Sequence, residues 1–95
     1  MSAYLVFTKE KTLDAAELAI YKEKVAPTLK TVGLKILAAY GAQEVLEGDA
    51  IEGVVILEFP TAGAAKAWYD SPAYRDAREH RFKGANYRCV LVNGV

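Results

Sequence analysis

The sequence predicts an α+β fold in which a four-stranded antiparallel sheet carries its helices on one face. Three observations lead there: four short runs rich in β-branched and aromatic residues, helical stretches after the first and third of them, and apolar side chains on both faces of the strands.

Residues 3–8, Ala-Tyr-Leu-Val-Phe-Thr, read as the first strand, closed by Lys9-Glu10-Lys11. A helix follows over residues 12–32, with Thr12 as its N-cap and Leu18, Tyr21, Val25, Leu29 and Val32 along one apolar stripe. Pro27 deletes a backbone donor inside that stretch and crowds the preceding turn, so a kink or early break is expected there. Gly33 closes the helix. Residues 35–40 read as a second strand that continues, past a bulge at Gly41, into residues 44–47, and Gly48-Asp49 turns the chain. Residues 51–59 form the third strand, and Pro60-Thr61 end it and start a helix over 62–70. Ser71-Pro72 supply an N-cap and a first-turn proline for a further helical segment to Phe82, residues 84–86 are a loop, and 87–92 are the last strand. The resulting β-α-β-β-α-β order satisfies the handedness of crossovers as a ferredoxin-like arrangement, a single domain over residues 1–95.

An antiparallel sheet with one wet face alternates apolar with polar residues. This one does not: Leu5 and Phe7 oppose Tyr4 and Val6, Val55, Leu57 and Phe59 oppose Val54 and Ile56, and Cys89 and Leu91 oppose Val90 and Val92. The face away from the helices is therefore expected to meet the same face of a second copy, giving an isologous homodimer with a two-sheet core. The apolar fraction of 53% agrees, standing above the roughly 45–50% of ordinary soluble chains.

Twelve basic and twelve acidic residues cancel and are interspersed. No long-range field then steers polyanions or anionic lipid to the surface, which argues against nucleic acid and membrane as partners. No apolar run approaches the roughly 18 residues that span a bilayer, and no basic segment leads into an apolar core at the N-terminus. Cys89 is the only cysteine, which excludes an internal disulfide and fits a reducing compartment; a cytoplasmic location is the expectation. Phosphate-cradling glycine loops, zinc pairs, calcium loops and dinucleotide fingerprints do not occur, so no cofactor and no metal site are expected.

The stretch from Trp68 to Phe82 crowds aromatics, cations and the only histidine between two apolar segments, as a pocket wall does. Tyr74, Arg78 and Arg81 share one helical face and can present a hydroxyl and two forked cations to a carboxylate or phosphate. The plainer alternative pairs the arginines with Asp70, Asp76 or Glu79, or with acids of a second subunit. Glu58, set among Val54, Val55, Ile56, Leu57 and Phe59, is the candidate general acid or base; alternatively it accepts hydrogen bonds at the strand end. His80, of the type that titrates near neutrality, is a candidate proton shuttle if it meets a pocket and a solvated surface residue if not. Trp68 either fills the core beside Ala64, Ala65 and Ala67 or walls a cavity that Tyr40 enters from the second strand. Ser71 lacks an activating base in its surroundings and fits an N-cap, and Cys89, mid-strand, is expected to stay protonated.

Val45-Leu46-Glu47-Gly48, Val55-Ile56-Leu57-Glu58-Phe59-Pro60, Ala67-Trp68-Tyr69-Asp70-Ser71-Pro72-Ala73-Tyr74, Arg81 and Val90-Leu91-Val92-Asn93-Gly94 together resemble domain-of-unknown-function family 1330, a branch of the dimeric α+β barrel superfamily. The resemblance spans nearly the whole chain, and the Trp-Tyr-x-Ser-Pro-x-Tyr run is its specific part. It implies a ferredoxin-like subunit and a homodimer, and it carries no established activity. The chain departs from that pattern around the second strand, with Gly33-Leu34 and Ala38-Ala39-Tyr40-Gly41 where relatives tend to show paired glycines and an arginine.

The expected function is the binding of a small apolar or aromatic acid between sheet and helices, with Tyr40, Trp68, Tyr74, Arg78 and Arg81 as ligand contacts. Cofactor-independent acid/base chemistry by Glu58, with His80 beside it, is the enzymatic extension. The alternative is a non-catalytic dimeric module that senses a ligand or serves assembly. RNA binding on the sheet face ranks below both, because the strands are aliphatic and the net charge is zero.

Overall fold

The computed structural model describes residues 1–95. Strand β1 (Ala3–Thr12) leads into helix α1 (Ala15–Val25) and a 3₁₀ turn (Ala26–Lys30). Strands β2 (Lys35–Ala39) and β3 (Gly53–Phe59) follow, then helices α2 (Ala62–Tyr69) and α3 (Pro72–Gly84) and strand β4 (Ala85–Asn93). The sheet order is β2-β3-β1-β4 with every neighbouring pair antiparallel, which is the expected ferredoxin-like sheet.

Several boundaries differ from the sequence reading, each for a local reason. β1 runs on through Thr12, because Lys11 and Thr12 pair with Asn86 and Ala85 across an irregularity in the register. Thr12 therefore caps nothing; its backbone N–H donates to the Glu52 carboxylate at 2.9 Å. Asp14 caps α1 instead, accepting from the N–H groups of Ala16 and Glu17. The helix breaks after Val25, as Pro27 requires, and the 3₁₀ turn carries Leu29 onto the core while Val32 ends almost fully exposed.

β2 does not continue beyond Gly41. Tyr40 takes φ of 57°, which swings the chain off the sheet edge, and residues 41–52 hold no strand. Residues 84–86 are not a loop either. α3 passes directly into β4, and the Gly84 carbonyl accepts from the N–H groups of both Leu13 and Asp14.

The helix-side face of the sheet buries Leu5, Phe7, Leu57 and Phe59 against Ala65, Trp68, Tyr74 and Ala77. Trp68 stacks on Tyr74 with ring centroids 4.0 Å apart and tilts against Phe59 at 5.7 Å. Each such pair adds about 0.5–1.5 kcal/mol beyond burial. The Trp68 indole N–H donates to the Thr28 carbonyl at 3.0 Å, which ties α2 to the 3₁₀ turn. On the other face, Val90 and Val92 remain about half exposed, and Val6 pairs with both Ile56 and Val90. That face is uncovered within the chain, with an apolar centre at Val6, Ile56, Val90 and Val92 and the polar Thr8, Lys35, Glu58 and Arg88 around it. No helix is long and apolar enough to cross a membrane.

Candidate functional site

α3 starts at a sound N-cap, Ser71 Oγ accepting from the Tyr74 N–H, with Pro72 in its first turn. From that start the helical period turns Tyr74, Ala77, Arg81 and Gly84 toward the sheet, and all four are buried. An arginine in such a place needs a reason. Arg81 is 3% exposed, and its Nε has no hydrogen-bond partner. It takes part in none of the four ion pairs of the chain, so no carboxylate of this subunit neutralises it.

Aromatic rings surround it instead. Its guanidinium carbon lies 5.0 Å from the ring centres of Phe82 and Tyr87 and 5.3 Å from that of Phe7. Burial is the largest influence on this cation and works against it; the neighbouring Tyr74, Tyr21 and Tyr69 raise the arginine pKa only as phenolates, so at neutral pH they supply no counter-charge. The neighbours respond in kind. Burial raises Tyr21, Tyr74 and Tyr87 above the ordinary phenol range, and burial raises Cys89 against the lowering pull of Arg81. At neutral pH the cluster is thus one full cation among uncharged hydroxyls and an uncharged thiol.

Arg81 borders an open groove of about 390 Å³ between α3 and β4, with Tyr69, Phe82, Asn86, Tyr87 and Cys89 around it. On the other side of Tyr87 lies a chamber of about 90 Å³ under α1, lined wholly by apolar and aromatic residues that include Tyr40 and Trp68. The expected site residues are therefore not gathered in one place. Tyr40 and Trp68 border the inner chamber and Arg81 the outer groove. Tyr74 lines neither: it is fully buried, stacked on Trp68 and hydrogen-bonded through its hydroxyl to that of Tyr21 at 3.0 Å.

Three other candidates have structural employment. Arg78 donates to the Tyr69 carbonyl at 3.0 Å, lies over the Tyr69 ring and approaches Asp70 at 3.6 Å, so it clamps the α2–α3 corner. His80 Nδ1 sits 2.6 Å from Glu17 Oε2 and joins α3 to α1, away from both the chamber and the groove. Glu58 projects from the opposite face of the sheet: Leu57 and Phe59 take the helix side, and strand alternation sends the residue between them the other way. There its nearest cation is Lys35, 4.0 Å away. The joint site of Glu58 with Tyr74 and Arg81 is accordingly corrected, since a sheet lies between them.

Tyr87, Tyr69, Tyr21 and Phe82 were not among the site residues expected from the sequence. Tyr87 borders both the chamber and the groove, and its hydroxyl is hydrogen-bonded to that of Tyr40. The sequence offered only strand alternation, which sets Tyr87 on the face of Cys89 and Leu91; the pairing with Lys9, which puts that face on the helix side, is seen only in the structure. No group of three or more His, Cys, Asp or Glu side chains gathers as a metal site.

The fold has solved counterparts. A protein of unknown function from Rhodopseudomonas palustris superposes with a TM-score of 0.78 at 19% identity, over 99% of this chain and 82% of that one. A dimeric ferredoxin-like protein of unknown function from Thermobifida fusca gives 0.69 at 14% identity, over 99% and 92%. A further dimeric protein of unknown function with a ferredoxin-like fold, from Bacteroides fragilis, gives 0.64 at 16% identity, over 98% and 96%. At these identities the likeness is one of fold. No curated protein matches the chain. The model of one family covers residues 2–95: the chain belongs to the family described as Domain of unknown function (DUF1330).

Proposed function

We propose that the chain is a homodimeric small-molecule-binding protein whose groove between α3 and β4 takes a small aromatic carboxylic acid, with Arg81 holding the carboxylate. The observation that carries this is a buried, unpaired arginine at the wall of a groove. Taking an ion out of water costs several kcal/mol unless a counter-charge compensates, and no ion pair of the chain reaches Arg81. A guanidinium fork matches a planar carboxylate, and the rings of Tyr69, Phe82 and Tyr87 offer flat apolar walls for an aryl group.

Dimerisation through the open sheet face supports the same picture. It would cover Val6, Ile56, Val90 and Val92, and two of the solved relatives are described as dimeric. The helix-side groove then stays open to solvent. Glu58 and His80 lie outside it, so the reading is one of binding and assigns no proton transfer to either. The binding half of the first sequence reading is thereby kept, without its acid/base extension.

Thermal-shift measurements test it, with benzoate, phenylacetate and acetate against wild type, Arg81→Gln and Arg78→Gln. Ligand at about 100 times its Kd stabilises by about 2.7 kcal/mol. Wild type and Arg78→Gln should rise with the aryl acids and Arg81→Gln should not. Equal responses in all three proteins, or none in wild type, would refute the assignment.

A further inference from the structure

We propose that Tyr40 is a gate over a second binding compartment, the apolar chamber under α1, and that this compartment takes a neutral single-ring aromatic molecule. The inference is independent of the acid site at Arg81. The chamber is walled by Phe7, Val25, Leu29, Val55, Leu57 and Trp68, with no charged side chain at all. An anion entering it would lose its hydration for nothing in return, whereas an uncharged ring loses little.

Size decides what must move. An apolar protein cavity of about 150 Å³ accommodates benzene and stays dry without it. The chamber measures about 90 Å³ and is too small. Against it lies an outer recess of about 240 Å³, bordered by Lys9, Leu18 and Lys22, and the two share Tyr21, Val25, Tyr40 and Tyr87 as their common wall. Joined, they reach the lower end of the range of small-molecule sites, with the uncharged ring in the apolar inner part and Lys9 and Lys22 at the outer rim.

Of that wall, Tyr40 is the part built to move. It is about half exposed and sits at the end of β2 with the irregular residues 41–52 after it. Its φ of 57° is one that a non-glycine residue rarely adopts, and it is the only such residue in the chain. Its ring rests on Gly53, where an added Cβ would come within 2.5 Å of Cδ1. The neighbouring strand is thus left bare to seat it. Its hydroxyl latches to Tyr87, and Lys9 Nζ lies 5.3 Å from its ring centre on the solvent side. A mere packing void needs none of these fittings.

Bromobenzene, a neutral ring that quenches indole fluorescence on contact, is the probe, and Trp68, the only tryptophan, is the reporter. Stopped-flow traces are compared for wild type, Tyr40→Phe, which breaks the latch, and Gly53→Ala, which wedges the ring outward without altering it. Ala39→Leu, which fills the chamber, is the fourth protein. The gate predicts saturable quenching in wild type, association at least tenfold faster in Tyr40→Phe and Gly53→Ala, and loss of quenching in Ala39→Leu. Trp68 also borders a surface groove at Ser71 and Ala73, so quenching that persists in Ala39→Leu overturns the compartment. Equal association rates in wild type and Tyr40→Phe overturn the gate, and Tyr40→Phe alone decides that point if Gly53→Ala fails to fold.

Discussion

Replacing Arg81 by methionine should stabilise the free protein. The substitution removes three cation–π contacts, at 5.0, 5.0 and 5.3 Å, that together contribute about 3–6 kcal/mol at roughly 1–2 kcal/mol each. It also removes the cost of keeping an ion out of water, several kcal/mol, and the about 1–3 kcal/mol of a buried donor left without an acceptor. The methionine stem is apolar, flexible and of similar length, so it fills the aromatic cage with little strain. The balance is a gain of up to about 3 kcal/mol. For a domain of this size, each kcal/mol raises Tm by about 4–8 °C. Urea unfolding at one fixed protein concentration, in a buffer free of carboxylates and phosphate, measures it directly. A loss of more than about 1 kcal/mol at unchanged m-value would show that the cage alone compensates the charge. The case for an incoming anion would then collapse.

Three further outcomes follow from the packing. Val90→Lys places an ammonium in the middle of the open sheet face at a position half exposed within one chain, so it should yield folded monomers by sedimentation velocity; an intact dimer would move the interface elsewhere. Trp68→Phe deletes the donor to the Thr28 carbonyl and should cost about 2–4 kcal/mol in urea unfolding, whereas a cost below about 1 kcal/mol would make that bond dispensable. Tyr21, Tyr74 and Tyr87 have folded-state phenol pKa values raised by burial, so they add stability that is fully present below the unfolded value of about 10 and is lost as pH climbs above it. Ultraviolet titration should find these three ionising only with unfolding, and their ionisation in the folded protein would contradict the burial.

Much of the fold was legible because its determinants are local. Pro27 had to interrupt the first helix, and Ser71-Pro72 had to start the third. Apolar residues on both sides of β1, β3 and β4 announced a sheet that no single helical layer covers. Boundaries failed where the deciding partner was distant in sequence: Thr12 joined β1 because Ala85 and Glu52 reach it, and β2 stopped because Tyr40 turned over Gly53. The site was legible one residue at a time. Helical spacing put Arg81 beside Tyr74, but it equally put Arg78 there, and only the α2–α3 corner shows that Arg78 is already engaged. Glu58 looked enclosed because a strand sequence does not reveal which of its two faces meets the helices. Tyr87 could not be chosen from a sequence in which its role depends on sharing one wall between chamber and groove.

The most direct measurement of the central claim is the side-chain N–H resonance of Arg81 Nε, followed by NMR as benzoate is added. With a carboxylate held at Arg81, this signal, which reports a donor with no protein acceptor, shifts and saturates with benzoate while that of Arg78 stays in place. A signal that stays fixed up to saturating acid, or that moves no more than Arg78's, would mean that the buried cation serves the fold alone.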